Sequence, residues 1–179
     1  MTHLQNITSA FDARAAHARA NDNEGLARKW EDERAHFITA AFVTFFEARP
    51  EIDICKMINS GAIYATQKVR KIVQAIVTET RARVDGYTRC TLQNARVLAD
   101  KGTDFTFALH NAALSKSCSA THSTRLANRL ASSANTATTQ SSSTRMALAA
   151  LGCVIFYKTA GDENALRVDF DNEIVAAIM

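Results

Sequence analysis

Residues 153–170, CVIFYKTAGDENALRVDF, are the stretch on which the reading of the fold turns. The run CVIFYK at 153–158 is β-branched and aromatic, a composition that suits a pleated strand. AGDEN at 160–164 supplies turn residues. ALRVDF at 165–170 then alternates, with Leu166, Val168 and Phe170 on one face and Arg167 and Asp169 on the other. Together they predict a β-hairpin with one buried face. Residues 172–178 predict a short closing helix or strand.

Upstream, Gly152 is placed to break a helix, and STRMALAAL at 143–151 is placed to be that helix. Ser141, Ser142 and Ser143 are good N-cap residues for it, and 135–140 predicts a turn. The whole segment 131–144 (ASSANTATTQSSST) is uncharged and rich in Ser and Thr, so its composition equally suits a mobile linker. STRLANRLA at 123–131 gathers Leu126, Ala127 and Leu130 on one side and Arg125, Asn128 and Arg129 on the other. Thr103 or Asp104 would cap a further helix through Phe105, Leu109 and Leu114. No Asp or Glu occurs from Phe105 to Gly161, whereas Lys116, Arg125, Arg129, Arg145 and Lys158 do.

The order helix, helix, turn, helix, hairpin resembles the winged helix-turn-helix superfamily over about 103–179. STRLANRLA looks like its second helix, SSSTRMALAALG like its recognition helix, and CVIFYKTAGDENALRVDF like its wing. The run LAALGCVIFY is similar to the helix-to-wing passage of winged-helix plasmid replication initiators and small transcription regulators. Two features depart from the family. Arg145 stands where the recognition helix usually buries an apolar residue, and the link between the second and third helices exceeds a three- or four-residue turn. Either the third helix starts later, with Met146 in the buried place, or the helical pair is docked differently.

The resemblance implies a recognition helix in the major groove with its N-terminal residues at base edges. Those residues would be Gln140, Ser141, Ser142, Ser143 and Arg145, types that suit adenine, either base, and guanine respectively. Lys116, Arg125, Arg129 and Lys158 would contact phosphates, while Asp162 and Glu163 at the wing tip would repel them. The implied partner is double-stranded DNA, bound by a transcription regulator or replication-initiator-like protein.

Residues 1–102 predict a separate helical domain, so the fold class is mainly α: an N-terminal helical bundle, then a C-terminal winged helix-turn-helix with one β-hairpin. Ile7, Phe11 and Ala15 mark a helix over 7–20, and 21–23 is a turn. A long helix over 24–48 carries Phe37, Phe42, Phe45 and Phe46 and is stopped by Pro50. A short helix over 52–59 ends at Gly61. The next, over 62–84, buries Val69, Ile72, Val73, Ile76 and Val77 and leaves Gln67, Lys68, Arg70, Lys71 and Gln74 mostly outside. Asp85-Gly86 is a turn before a helix over 88–100, which Gly102 ends. This supply of apolar faces, more than one small bundle needs, predicts a homodimer.

Length and composition bound the function. The chain has 179 residues, 47% of them hydrophobic and 22% charged, with a net charge of only +3, so the distribution of charge matters more than its sum. Cys55, Cys90, Cys118 and Cys153 form no C-x-x-C pair and read as reduced thiols in a cytoplasmic protein. The N-terminus has no apolar signal core, and the most apolar run, 37–46, is too short for a membrane span. Cys118 and His122 have helical i, i+4 spacing but no second pair nearby, so no metal site is assigned. No phosphate loop, nucleophile elbow or zincin motif occurs, and no catalytic residue, cofactor or small-molecule substrate is expected. The alternatives are a helical structural or adaptor protein, such as a virion or assembly component, whose winged helix contacts protein, and a nonspecific nucleic-acid coater.

Overall fold

Phe11, Trp30 and Phe37 decide how the first helices meet. In the computed structural model, which describes residues 3–115 and 133–179, α1 (His3–Ala20) buries Ile7, Ala10, Phe11, Ala15 and Ala18 at helical spacing. Asn23 caps α2 (Glu24–Phe37) by accepting from the Leu26 amide at 3.0 Å. A three-residue connection folds the two into a helical hairpin, with the Phe11 ring 6.1 Å from Trp30 and 5.1 Å from Phe37.

The helix expected over 24–48 is two helices. Thr39 is extended (φ −68°, ψ 149°) and its hydroxyl donates to the His36 carbonyl at 2.9 Å, which ends the first ladder. The bend lets α3 (Ala40–Glu47) return Phe42 and Phe46 onto Phe37, at 5.5 and 5.9 Å between ring centroids. After α4 (Cys55–Asn59) comes Gly61 at φ +81°, where an added Cβ would also lie 2.6 Å from Arg14 Nη2. The positive φ is what favours glycine, since the flexible end of Arg14 could move aside.

α5 (Ile63–Val77) buries Val69, Ile72 and Val73 completely, but stops seven residues short of the expected 84. Glu79 turns the chain at φ +51°, a 3-10 turn follows at Arg81–Arg83, and Val84 enters the core. Asp85 then caps α6 (Gly86–Ala99). Gly102, at φ +60°, ends this passage.

Beyond it, Phe105 does not begin a helix. Phe105–Thr106 form β1, and Thr106 caps α7 (Phe107–Ala113) through the Leu109 amide at 3.1 Å. The segment read as turn and linker is also helical. Ser133 caps α8 (Ala134–Ala150) by accepting from the Thr136 amide, upstream of the caps expected at Ser141, Ser142 or Ser143. Ala137, Ser141, Thr144, Leu148 and Leu151 then fall at spacings of four, three, four and three and are all buried. Small Ser and Thr side chains let α8 lie close against α5.

Gly152 (φ +69°) leads into β2 (Val154–Lys158), and a turn with Asp162 at φ +59° returns the chain as β3 (Asn164–Val168). The antiparallel sheet has the order β1-β3-β2, with Leu166 paired to both Phe105 and Phe156. Asn172 caps the closing helix α9 (Glu173–Ile178).

One buried cluster runs from Ile7 through Phe46, Ile72 and Leu98 to Leu148, Leu166 and Ile178, so residues on both sides of the 102/103 boundary share it. Phe37, Phe42, Phe45, Phe46, Val69, Ile72 and Val73 are covered within the chain. Most of the apolar surplus that predicts a dimer is therefore used internally, while Ile38 stays 40% exposed and Ile76 and Val77 half-buried. No described helix is long and apolar enough to cross a membrane.

Candidate functional site

Because Ser133 caps α8, Ser141, Ser142 and Ser143 stand inside the helix and not at its N-terminal tip, and the first side chains that it offers outward lie further upstream. Asn135, Thr136 and Thr139 are exposed, and Gln140 and Ser142 are half-exposed. Ser141 and Ser143 face inward, 0% and 6% exposed. The Ser141 hydroxyl bonds to Asn111 Oδ1, and that of Ser143 donates to the Gln140 carbonyl at 3.0 Å. Arg145 is half-buried: Nη1 donates to His110 Nδ1 and Asn111 Oδ1, both at 3.3 Å, and the guanidinium lies 4.1 Å from the Phe107 ring centroid. Ser143, though nearly buried, still borders a cleft beside residues 61–65, whereas Arg145 acts here as a brace and Ser141 as a packing residue. Extending the Leu148 periodicity backward through Thr144 and Ser141 would have revealed that Ser141 is buried.

His110 is the hub of that bracing and is fully buried. The Thr91 hydroxyl spends its proton on the Tyr87 carbonyl at 2.8 Å, so at 2.7 Å it accepts from His110 Nε2–H. Nδ1 is left as the acceptor that Arg145 uses. Burial first, then the charges of Arg145 and Lys68, push the imidazole pKa down to about 3, so the ring is neutral near neutral pH. The sequence holds little warning of this, since His110 sits on a short helix with no carboxylate nearby in the chain.

Lys68, expected outside the buried stripe, is only 6% exposed. Its ammonium is 2.7 Å from Asp85 Oδ1 and 5.2 Å from the Tyr87 ring centroid. Asp85 also accepts from the Tyr87 and Thr88 amides at 3.1 and 3.2 Å and from the Thr88 hydroxyl at 2.6 Å. Burial raises the Asp85 carboxyl, but Lys68 and Thr88 more than reverse this and hold it below its ordinary range.

A furrow runs beside the outward face of α8. At its N-terminal end a cleft of about 390 Å³ is lined by Tyr64, Gln67, Lys68, Lys71, Tyr87 and Gln140, with Asp85 and Gly86 completing it. Tyr64 also borders the next cleft, of about 440 Å³, where residues 61–65 face Thr138, Thr139, Ser142, Ser143 and Met146. Met146 is shared with a third, of about 360 Å³, which contains Asp53, Lys56, Met57, Ala149 and Phe156. Tyr64 and Phe156 are 53% and 48% exposed. Lys56 and Lys71 are exposed and form no ion pair among the described residues.

The chain matches no protein-family model, no curated protein and no solved structure. The site therefore rests on its own geometry. Of the sequence-predicted residues, Gln140, Ser142 and the nearly buried Ser143 line the furrow. Lys158 lies on the hairpin with its ammonium 3.2 Å from Asp162 Oδ1 and 2.8 Å from the Asp162 carbonyl. Lys116, Arg125 and Arg129 lie outside the described residues, as do STRLANRLA, Cys118 and His122. Tyr64, Lys56 and Lys71 come from helices that sequence reasoning assigned to a separate domain.

The remaining chemistry is sparse. Burial raises the Cys55 and Cys90 thiols to about 11 and the Cys153 thiol to about 12, so none of the three is a thiolate at neutral pH. Among the described residues no three His, Cys, Asp or Glu side chains gather as metal ligands would.

Proposed function

We propose that this chain binds double-stranded DNA, with the outward face of α8 in the major groove and the walls of the furrow against the backbone. The observation that carries the reading is the contrast within the furrow. α8 presents uncharged hydrogen-bonding side chains at Thr139, Gln140 and Ser142, with exposed Asn135 further up the helix, while Lys56 and Lys71 on the opposite wall form no ion pair among the described residues. Uncharged amides and hydroxyls suit base edges, and lysines suit phosphates.

The element order lends support. Among the described residues α6, β1, α7, α8, β2 and β3 occur in this order, with sheet order β1-β3-β2, an arrangement in keeping with a winged helix whose first helix is α6 and whose recognition helix is α8. Charge distribution supports it too. From Gly61 to Gly161 thirteen Lys and Arg stand against four Asp and Glu, while the first sixty residues carry seven against nine. In this reading Gln140 and Ser142 keep the roles first expected of them, and Asn135 and Thr139 replace Ser141, Ser143 and Arg145. A transcription regulator or replication-initiator-like role follows from the resemblance.

The test is fluorescence anisotropy of a mixed-sequence duplex titrated with the full chain across a salt series. A DNA binder loses affinity steeply as salt rises, because each neutralised phosphate releases counterions. No binding by folded protein at low salt would remove the reading. It would leave the structural or adaptor alternative, for which the exposed Ile155 and Phe156 on β2, the outer strand of the sheet, provide an apolar contact surface.

A further inference from the structure

We infer that the cleft between α5, the start of α6 and Gln140 is the seat of one backbone phosphodiester of the bound duplex, with Lys71 as its cation. This rests on the DNA-binding reading and adds to it that α5, a helix outside the winged-helix segment, belongs to the interface.

The floor of the cleft is already neutralised. Both Asp85 oxygens are taken, Oδ1 by Lys68 at 2.7 Å and by two backbone amides, Oδ2 by the Thr88 hydroxyl at 2.6 Å. An entering anion therefore meets a compensated pair and not a free carboxylate. Lys71 lies one helical turn from Gln67 and Lys68, is exposed, and forms no ion pair among the described residues. The lining thus carries one uncompensated positive charge, surrounded by neutral donors: the Gln67 and Gln140 amides and the Tyr64 and Tyr87 hydroxyls. A singly charged group rich in acceptor oxygens matches that set, as a phosphodiester does.

Position narrows the source. Gln140 belongs both to this cleft and to the α8 face proposed to meet base edges, so a group seated here lies beside the recognition helix. Phosphate contacts flanking a recognition helix fix its register on the duplex. A free phosphate or mononucleotide shares the same chemistry, and the experiment separates the two.

The binding of a mixed-sequence duplex is measured against salt for the full-length wild type, Lys71→Gln, Lys71→Arg and, as a control, Lys29→Gln on the exposed side of α2. Lys71→Gln is expected to weaken binding about fivefold and to make the slope of log K against log salt shallower by about 0.9, the loss of one phosphate contact. Lys71→Arg should keep most of the slope, and Lys29→Gln all of it. Inorganic phosphate is added at constant ionic strength in a second arm and should compete no better than chloride. A wild-type slope in Lys71→Gln, with duplex binding intact, overturns the cleft assignment and leaves the DNA reading standing. Strong competition by inorganic phosphate that Lys71→Gln abolishes, with the duplex slope unmoved, assigns the cleft to a free anion instead. Absence of duplex binding in every variant overturns the reading and this inference together.

Discussion

The α1–α2 hairpin and the α5–α6–α8 region use charge in opposite ways. On the hairpin, apart from the buried Glu33 that meets Arg70 of α5 at 2.8 Å, arginines pair across the surface: Arg19 with Glu24 and Glu31, Arg28 with Glu24, Arg34 with Asp12. The hairpin is held by Phe11, Trp30 and Phe37 beneath them. Around α5, α6 and α8 some exposed pairs occur too, such as Arg96 with Asp100, but a set of polar groups is also buried. Lys68 meets Asp85 with side chains 7% and 12% exposed, and His110 bridges Thr91 and Arg145 with no exposure at all. Exposed pairs are screened and nearly dispensable, whereas a buried charge must keep its partner. The polar interior therefore fixes how α6, α7 and α8 sit, and Lys56 and Lys71, which form no ion pair among the described residues, stand on the rim of that region.

Breaking the buried pair should cost most. Asp85→Ala strands the Lys68 ammonium and removes the α6 cap, and is expected to lower unfolding stability by about 3–5 kcal/mol in a denaturant titration. A loss under about 1 kcal/mol would mean that Lys68 finds water or another partner. Leu148→Ala, under α8 at 0% exposure, tests whether apolar packing beside that polar layer matters as much, with about 2–5 kcal/mol expected in the same assay.

His110 gives the comparison a pH axis. Its folded pKa of about 3 lies below the ordinary 6.5, so between these values the unfolded chain binds the extra proton. The stability it contributes is complete above about 6.5 and is lost as pH falls toward about 3. Between pH 7 and pH 4 the wild type should lose about 3 kcal/mol more than His110→Gln, measured by denaturant unfolding at each pH. Parallel curves for the two proteins would show that the ring is not held neutral. The smallest effect is expected on the hairpin: Asp12→Asn should change stability by less than about 1 kcal/mol and leave DNA binding unaltered.

Much of this architecture could be read from the residues. The alternation of Leu166 and Val168, the stripe Val69, Ile72 and Val73, and the breaks at Gly102 and Gly152 each have a local cause, and each lies where the sequence indicates. What failed depended on partners distant in the chain. β1 is two residues long and exists because β3 pairs with it, a contact sixty residues away that Phe105 and Thr106 cannot announce. The first half of α8 resembles a linker by composition, yet tertiary packing against α5 overrides the weak helix propensity of its Ser and Thr. Lys68 was placed outside because lysine usually is, and Asp85, seventeen residues on, reverses that. The candidate site suffered accordingly: Gln140 and Ser142 were legible on α8, but Tyr64, Lys56 and Lys71 join them only through the fold.

Amide hydrogen exchange of the full chain, with and without a mixed-sequence duplex at low salt, tests the central claim most directly. Slowed exchange concentrated in Ala134–Ala150 and Ile63–Val77, with His3–Ala20 and Glu24–Phe37 unchanged, is the predicted result. Folded protein whose exchange the duplex leaves unaltered throughout, or alters only on the α1–α2 hairpin, would contradict it.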